Sequence, residues 1–271
     1  MNAQEQSMLD MLTRGREEFG VVAVKAEFEA EGTRPDELLR LLELAWRAGL
    51  DVALKIGGCE AISDLLAARL YGASYIIAPM VETPYALSKF VDARVKVWGE
   101  DAGRAKFLYN LETVTTLANL DEMIPVAKGG GLDGIVFGRV DFTQSAGLTR
   151  AEINGSQICQ PILRTARACA ENDLELVVGG GVSVDAQDAL RSFRDIRLDR
   201  FETRKVVFDG AMAHSPRYAD AIANAVAFEL AWLESKRAYY SSIAVEDSAR
   251  IAMMQQRGTV ADKAPIPSLA A

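Results

Sequence analysis

The sequence predicts an α/β chain folded as a (β/α)8 TIM-type barrel with a long C-terminal helical extension. Three observations predict it. Short apolar runs alternate with amphipathic stretches from about residue 20 to 210. The runs are apolar almost throughout, as strands covered on both faces are, and lack strict alternation. A length of 271 residues suits one barrel of about 250 residues with an appendage.

The strand-like runs are Val21–Glu27, Asp51–Ile56, Tyr75–Val81, Phe107–Glu112, Ile135–Asp141, Leu174–Val178 and Phe201–Phe208. Between the first two, Leu38, Leu41, Leu42, Ala45 and Trp46 form an i, i+3, i+4 stripe behind Pro35, which suits a first helical turn. Ile62, Leu65, Leu66 and Leu70 repeat the pattern over 59–71. Strand, helix and strand in succession call for a parallel sheet, closed as a barrel or open and doubly wound. The sequence yields seven strands, and no eighth is visible. Residues 217–257 contain no Gly or Pro and read as one or two long helices. About 40 helical residues reach roughly 60 Å, more than one barrel face covers. The segment is therefore expected to bend back or to join a homo-oligomer. The expected organisation is a barrel over 1–214, a helical extension over 215–257 and a flexible tail over 258–271.

A composition of 49% hydrophobic and 25% charged residues gives a large core and no signature of disorder. The formal net charge of −8 argues against a nucleic-acid groove. It leaves room for an anionic substrate wherever local basic residues reverse the field. Cys59, Cys159 and Cys169 have no CxxC spacing, which points to a reduced, cytoplasmic setting. Residues 1–6 are polar and lack a signal-peptide core, and no apolar run approaches the roughly 20 residues that span a bilayer. A small molecule, and neither nucleic acid nor membrane, is the expected partner.

Catalytic groups of β/α barrels converge at the C-terminal ends of the strands. Those positions hold Glu27 and Glu29, Lys55, Glu82, Glu112, Arg139 with Asp141, Gly179–Gly181, and Glu202 with Arg204. Any one of them could be a solvated loop residue or a structural ion pair. That reading weakens when Lys55, Glu112, Asp141 and Arg204 all fall at corresponding rims. Two carboxylates brought together there make a site for a hard divalent cation.

Ala78-Pro-Met-Val-Glu-Thr83, Asn110-Leu-Glu-Thr113 and Asp133-Gly-Ile-Val-Phe-Gly-Arg-Val-Asp-Phe-Thr143, with Ser145-Ala-Gly147, resemble successive strands of the pyruvate-dependent class II aldolase and citrate lyase β-subunit family. The likeness is best over about 65–170. It implies Mg2+ or Mn2+ on Glu112 and Asp141, 29 positions apart, with an α-keto acid chelated and its enolate stabilised during carbon–carbon cleavage or condensation. It further implies that backbone amides around Arg139, Val140 and Asp141 hold the substrate carboxylate. Lys55 stands where the family has an arginine. Lys25-Ala-Glu27-Phe28 stands where it has Asp-x-Glu-His, so Phe28 replaces the acid–base histidine. Proton transfer is then expected of Lys55, Glu27 or Glu29, with Lys55 and Arg204 as electrostatic partners. His214, the one histidine, reads as a loop residue.

Gly180 and Gly181, in Gly179-Gly-Gly-Val-Ser183, resemble phosphate-binding turns of other barrels, although a tight turn accounts for them equally. The competing expectations are a barrel that uses a phosphosugar or phosphoenolpyruvate, a metal-free aldolase with a Schiff base at Lys55, and a ligand-binding barrel without chemistry.

Overall fold

A computed structural model of the chain describes residues 1–261, with side chains to Arg257. Helix α1 (Ala3–Phe19) starts from a reciprocal capping box between Asn2 and Glu5 and leads into β1 (Val21–Glu27). Next come α2 (Pro35–Arg47), β2 (Asp51–Lys55), α3 (Ile62–Leu70), β3 (Tyr75–Ala78) and α4 (Pro84–Trp98). Pro35 and Pro84 open their helices where no N–H is missed, and Thr83 Oγ1 accepts the Ala86 N–H at 3.1 Å. The chain continues through β4 (Lys106–Leu111), α5 (Val114–Ala118), α6 (Leu120–Gly129), β5 (Gly134–Gly138), α7 (Arg139–Ser145) and α8 (Ser156–Asn172). It finishes with β6 (Glu175–Gly179), α9 (Gln187–Arg194), β7 (Arg200–Glu202), β8 (Val206–Asp209) and α10 (Tyr218–Ala261).

The strands form a closed barrel in sequence order, so the chain is an α/β TIM-type barrel with a long C-terminal helix. Neighbours from β1 to β7 pair in parallel. The closing strand differs, because β8 runs antiparallel to both β7 and β1. The run expected as one strand over Phe201–Phe208 is therefore a hairpin, and it supplies the strand that the sequence did not reveal. Its turn, Thr203–Lys205, contains neither Gly nor Pro. Glu229 holds it instead, accepting from Thr203 Oγ1 at 2.6 Å and from the Lys205 N–H at 2.7 Å.

The reversal decides which groups can share a site. It places Thr203–Lys205 on the rim formed by the C-terminal ends of β1–β7. It sends Asp209, paired with Arg200 at the start of β7, to the opposite end. His214 follows Asp209 in a 3-10 turn (Gly210–His214), exposed and away from that rim.

Period-two alternation separates two kinds of residue along the strands. One set is aromatic and packs outside the barrel. Phe107 meets Trp98 edge-on at 5.4 Å between ring centroids, and Phe201 stacks on Phe208 at 5.0 Å. The other set points inward, where Ala53, Ile77, Leu108, Val136 and Val177 form an apolar layer with Tyr75 against it. At that layer's lower edge the Arg200 guanidinium lies 4.4 Å over Tyr75 and 2.6 Å from Glu175. Above the layer the inward residues become charged.

Residues Met1–Glu229 form one compact unit, and the chain from Leu230 onward forms a second. The first unit takes in the start of α10, where Tyr218, Ala221, Ile222, Ala225 and Phe228 are buried. The expected tail over 258–271 lies outside the described residues beyond Ala261. No helix among the described residues is long and apolar enough to cross a membrane. Phe208→Ala, which removes the fully buried partner of Phe201, is expected to cost about 3–5 kcal/mol in urea unfolding. A loss under about 1 kcal/mol would show that the hairpin does not depend on this stack.

Candidate active site

Above the apolar layer lies a cavity of about 100 Å³. Its walls come from seven strands, β1 to β7, and its chemistry starts with two lysines, Lys25 and Lys55. Lys25 and Glu27 share the inward face of β1 because they are two residues apart. Lys25 Nζ lies 2.6 Å from Glu202 Oε1 and 3.1 Å from Glu27 Oε1. Burial alone would lower the Lys25 pKa, but the two carboxylates outweigh it and hold the ammonium above its usual range. Burial would raise the Glu27 pKa, and Lys25 and Lys55 reverse that, so Glu27 lies below its usual 4.5.

Lys55 closes β2 and stands between two further carboxylates. Its Nζ is 2.9 Å from Glu29 Oε2 and 3.5 Å from Glu112 Oε2. Burial opposes its charge, and Glu112, Glu29 and Glu27 together raise its pKa. Lys55 is thus an ammonium at neutral pH. Its pairings favour the charged form over the free amine that a base or a Schiff base needs. Lys205 and Arg204, on the hairpin turn, both pair with Glu31.

Glu112 is 1% exposed and is held from three sides. Oε1 accepts the Met80 N–H at 2.7 Å, and Oε2 accepts from Asn110 Nδ2 at 2.6 Å and from Lys55. Met80 reaches this position in left-handed backbone, at φ 51°, a conformation rare for a side chain of its size. Gly138 is required opposite, since a Cβ there would stand 2.9 Å from Glu112 Cβ and 3.0 Å from Oε2. Because Nδ2 donates to Glu112, the Asn110 amide must turn its Oδ1 the other way. That oxygen is buried with no hydrogen-bond partner among the described residues, and Asn110 lines the cavity. Asp141 lines it too, is exposed, and has no ion-pair partner among the described residues.

The structure therefore gathers Lys55, Glu27, Asp141, Val140 and Gly180 around one cavity, with Glu112 behind Lys55 and Gly138. It does not bring the other expected groups there as side chains. Arg204 is exposed and paired with Glu31, and Gly181 is not part of the wall. Arg139 is 0% exposed and points beneath the glycine turn. Its Nε donates to the Gly180 carbonyl at 3.0 Å, and its Nη1 donates to Asn154 Oδ1 at 2.8 Å. Burial lowers its pKa to about 10. The reason is strand parity: Val136 and Gly138 face inward, so Arg139 faces out. Gly180, at φ 81°, packs so tightly that a Cβ would stand 2.8 Å from the Val140 nitrogen. A tight turn fastened by Arg139 accounts for these glycines.

Sequence comparison supplies the decisive observation. The family model for HpcH/HpaI aldolase/citrate lyase matches residues 57–195, just over half of the chain. The chain belongs to the HpcH/HpaI aldolase/citrate lyase family. Two solved structures have similar folds, each with a TM-score of 0.58. One is an HpcH/HpaI aldolase from Desulfitobacterium hafniense DCB-2, 13% identical, with 72% of this chain and 82% of that chain covered. The other is an HpcH/HpaI aldolase/citrate lyase family protein from Burkholderia cenocepacia J2315, 12% identical, with 73% and 83% covered. No curated protein matches the sequence. Family membership supports an aldolase or lyase type of function on a small-molecule carboxylate, and the family is generally dependent on a divalent metal.

The residues present suit such a metal. No group of three or more His, Cys, Asp and Glu side chains poised for a metal occurs among the described residues. Hard oxygen donors are nevertheless present in Glu112, Asp141 and the unpartnered Asn110 Oδ1. Around the mouth, Lys25, Lys55, Arg204 and Lys205 face Glu27, Glu29, Glu31, Glu112, Asp141 and Glu202. Asp141 has no ion-pair partner among the described residues, whereas the other carboxylates of this group each meet a lysine or arginine.

The depressed Glu27 pKa has a consequence for stability. Below its usual 4.5 the unfolded chain binds the proton that folded Glu27 resists. The stabilisation is full above that value and is lost as pH falls through the folded pKa. Urea midpoints measured from about pH 5 down to about pH 3 are expected to fall less steeply for Glu27→Gln than for wild type. Equal slopes would contradict the Lys25–Glu27 pairing.

Proposed function

We propose that the chain is a carbon–carbon lyase of the aldolase type that acts through the enolate of pyruvate, another 2-oxo acid or a related carboxylate. Mg2+ or Mn2+ is assigned to Glu112 and Asp141. The observation that carries this reading is the buried, unpartnered Asn110 Oδ1 on a cavity that the unpaired Asp141 also lines. Family membership supports the reaction class.

When bound, the divalent cation supplies charge stabilisation for the oxygen that becomes negative as the bond at the neighbouring carbon breaks. The protein's own groups do the rest. Lys55 lines the cavity and, as an ammonium, donates to a developing oxyanion without transferring its proton. Glu27 is ionised and faces the cavity, so its carboxylate oxygen can take a proton from substrate, while Lys25 holds the charged form ready. Backbone N–H groups at Val140 and Asp141, beside Gly180, are assigned to the substrate carboxylate. A glutamate thus takes the place of the histidine that Phe28 replaces.

Deuterium exchange at C3 of pyruvate, followed by NMR with Mn2+ or Mg2+, tests enolisation without knowledge of the second substrate. Asp141 is exposed and unpaired, so Asp141→Asn is expected to fold normally and to lower exchange by roughly a hundredfold or more. Exchange undiminished in excess EDTA would remove the metal from the reading.

A further inference from the structure

Glu112 already has a cation beside it. Lys55 already stands 3.5 Å from its Oε2, and Met80 and Asn110 donate to its two oxygens. The Met80 and Asn110 donors are neutral and leave lone pairs open, since a carboxylate has about four acceptor positions. The ammonium is different, because it occupies the charge that a divalent cation would otherwise meet. Lys55 also has a second place to go. Glu29, on the loop after β1 and only partly buried, lies 2.9 Å from the same Nζ. Lys55 is therefore shared between a buried carboxylate at the back of the cavity and a more exposed one at its edge.

Resting on the metal reading above, we propose that Lys55 is the resident counter-cation of Glu112, and that a divalent metal binds by displacing it from Glu112 so that it keeps Glu29 alone. One cation or the other balances Glu112, so the buried carboxylate is never left alone. An ionised carboxylate buried without a partner is strongly unfavourable. Metal affinity is then set by a residue that does not ligate the metal.

Isothermal titration calorimetry with Mn2+ alone tests this without any turnover. Lys55→Met removes the competitor and is expected to tighten Mn2+ binding at least tenfold, while Lys55→Arg keeps the charge and stays within about threefold of wild type. Glu29→Gln, on the loop, withdraws the alternative partner and is expected to weaken binding severalfold. Glu31→Gln removes a carboxylate paired with Lys205 and Arg204, and is expected to change little. Should Lys55→Met not fold, the two glutamate variants decide the matter. Unchanged or weaker binding in Lys55→Met, or equal effects of Glu29→Gln and Glu31→Gln, would overturn the displacement while leaving the metal reading intact. No Mn2+ binding by any of these proteins would overturn both.

Discussion

The ammonium of Lys25, buried between Glu202 and Glu27, is the interaction on which the mouth of this barrel depends. A lysine inside a barrel is tolerable only when carboxylates replace the water it has lost. Glu202 is supplied by β7 and Glu27 by β1, strands separated in the ring only by the short reversed β8. The pairing therefore spans the point where the barrel closes. It also leaves Glu27 ionised and fixed toward the cavity. The same motif recurs at Lys55, between Glu29 and Glu112, and at Lys205 with Glu31. Asp141, which lines the cavity, has no ion-pair partner among the described residues.

Much of this follows from strand parity, which is legible in the sequence. Glu112 and Asp141 stand out as carboxylates that close apolar runs. Applying the two-residue period to the same runs would also have placed Lys25 beside Glu27 and Asn110 beside Glu112. It would have turned Arg139 away from the cavity, since Gly138 faces inward. The hairpin was less accessible. Thr203–Lys205 carries no turn residue, and the carboxylate that holds it, Glu229, is 24 positions from Lys205 in the chain. The left-handed Met80 carried no local signal either, because its conformation serves a contact with a residue on the next strand.

Departures from the resembling family's pattern are mutually consistent in physical terms. Lysine replaces a carboxylate at position 25 and an arginine at 55, and phenylalanine replaces a histidine at 28. A histidine gives a base that titrates near neutrality. The pairings of Lys25 and Lys55 favour their charged forms instead, and Glu27 faces the cavity. Charge at the mouth is thereby set by paired side chains.

Anomalous diffraction from crystals soaked in Mn2+ tests the central claim most directly. The account predicts a manganese peak between Glu112 and Asp141, with Lys55 Nζ withdrawn from Glu112 and seated on Glu29. A peak elsewhere, no peak at the mouth, or manganese bound there with Lys55 still against Glu112 would contradict it.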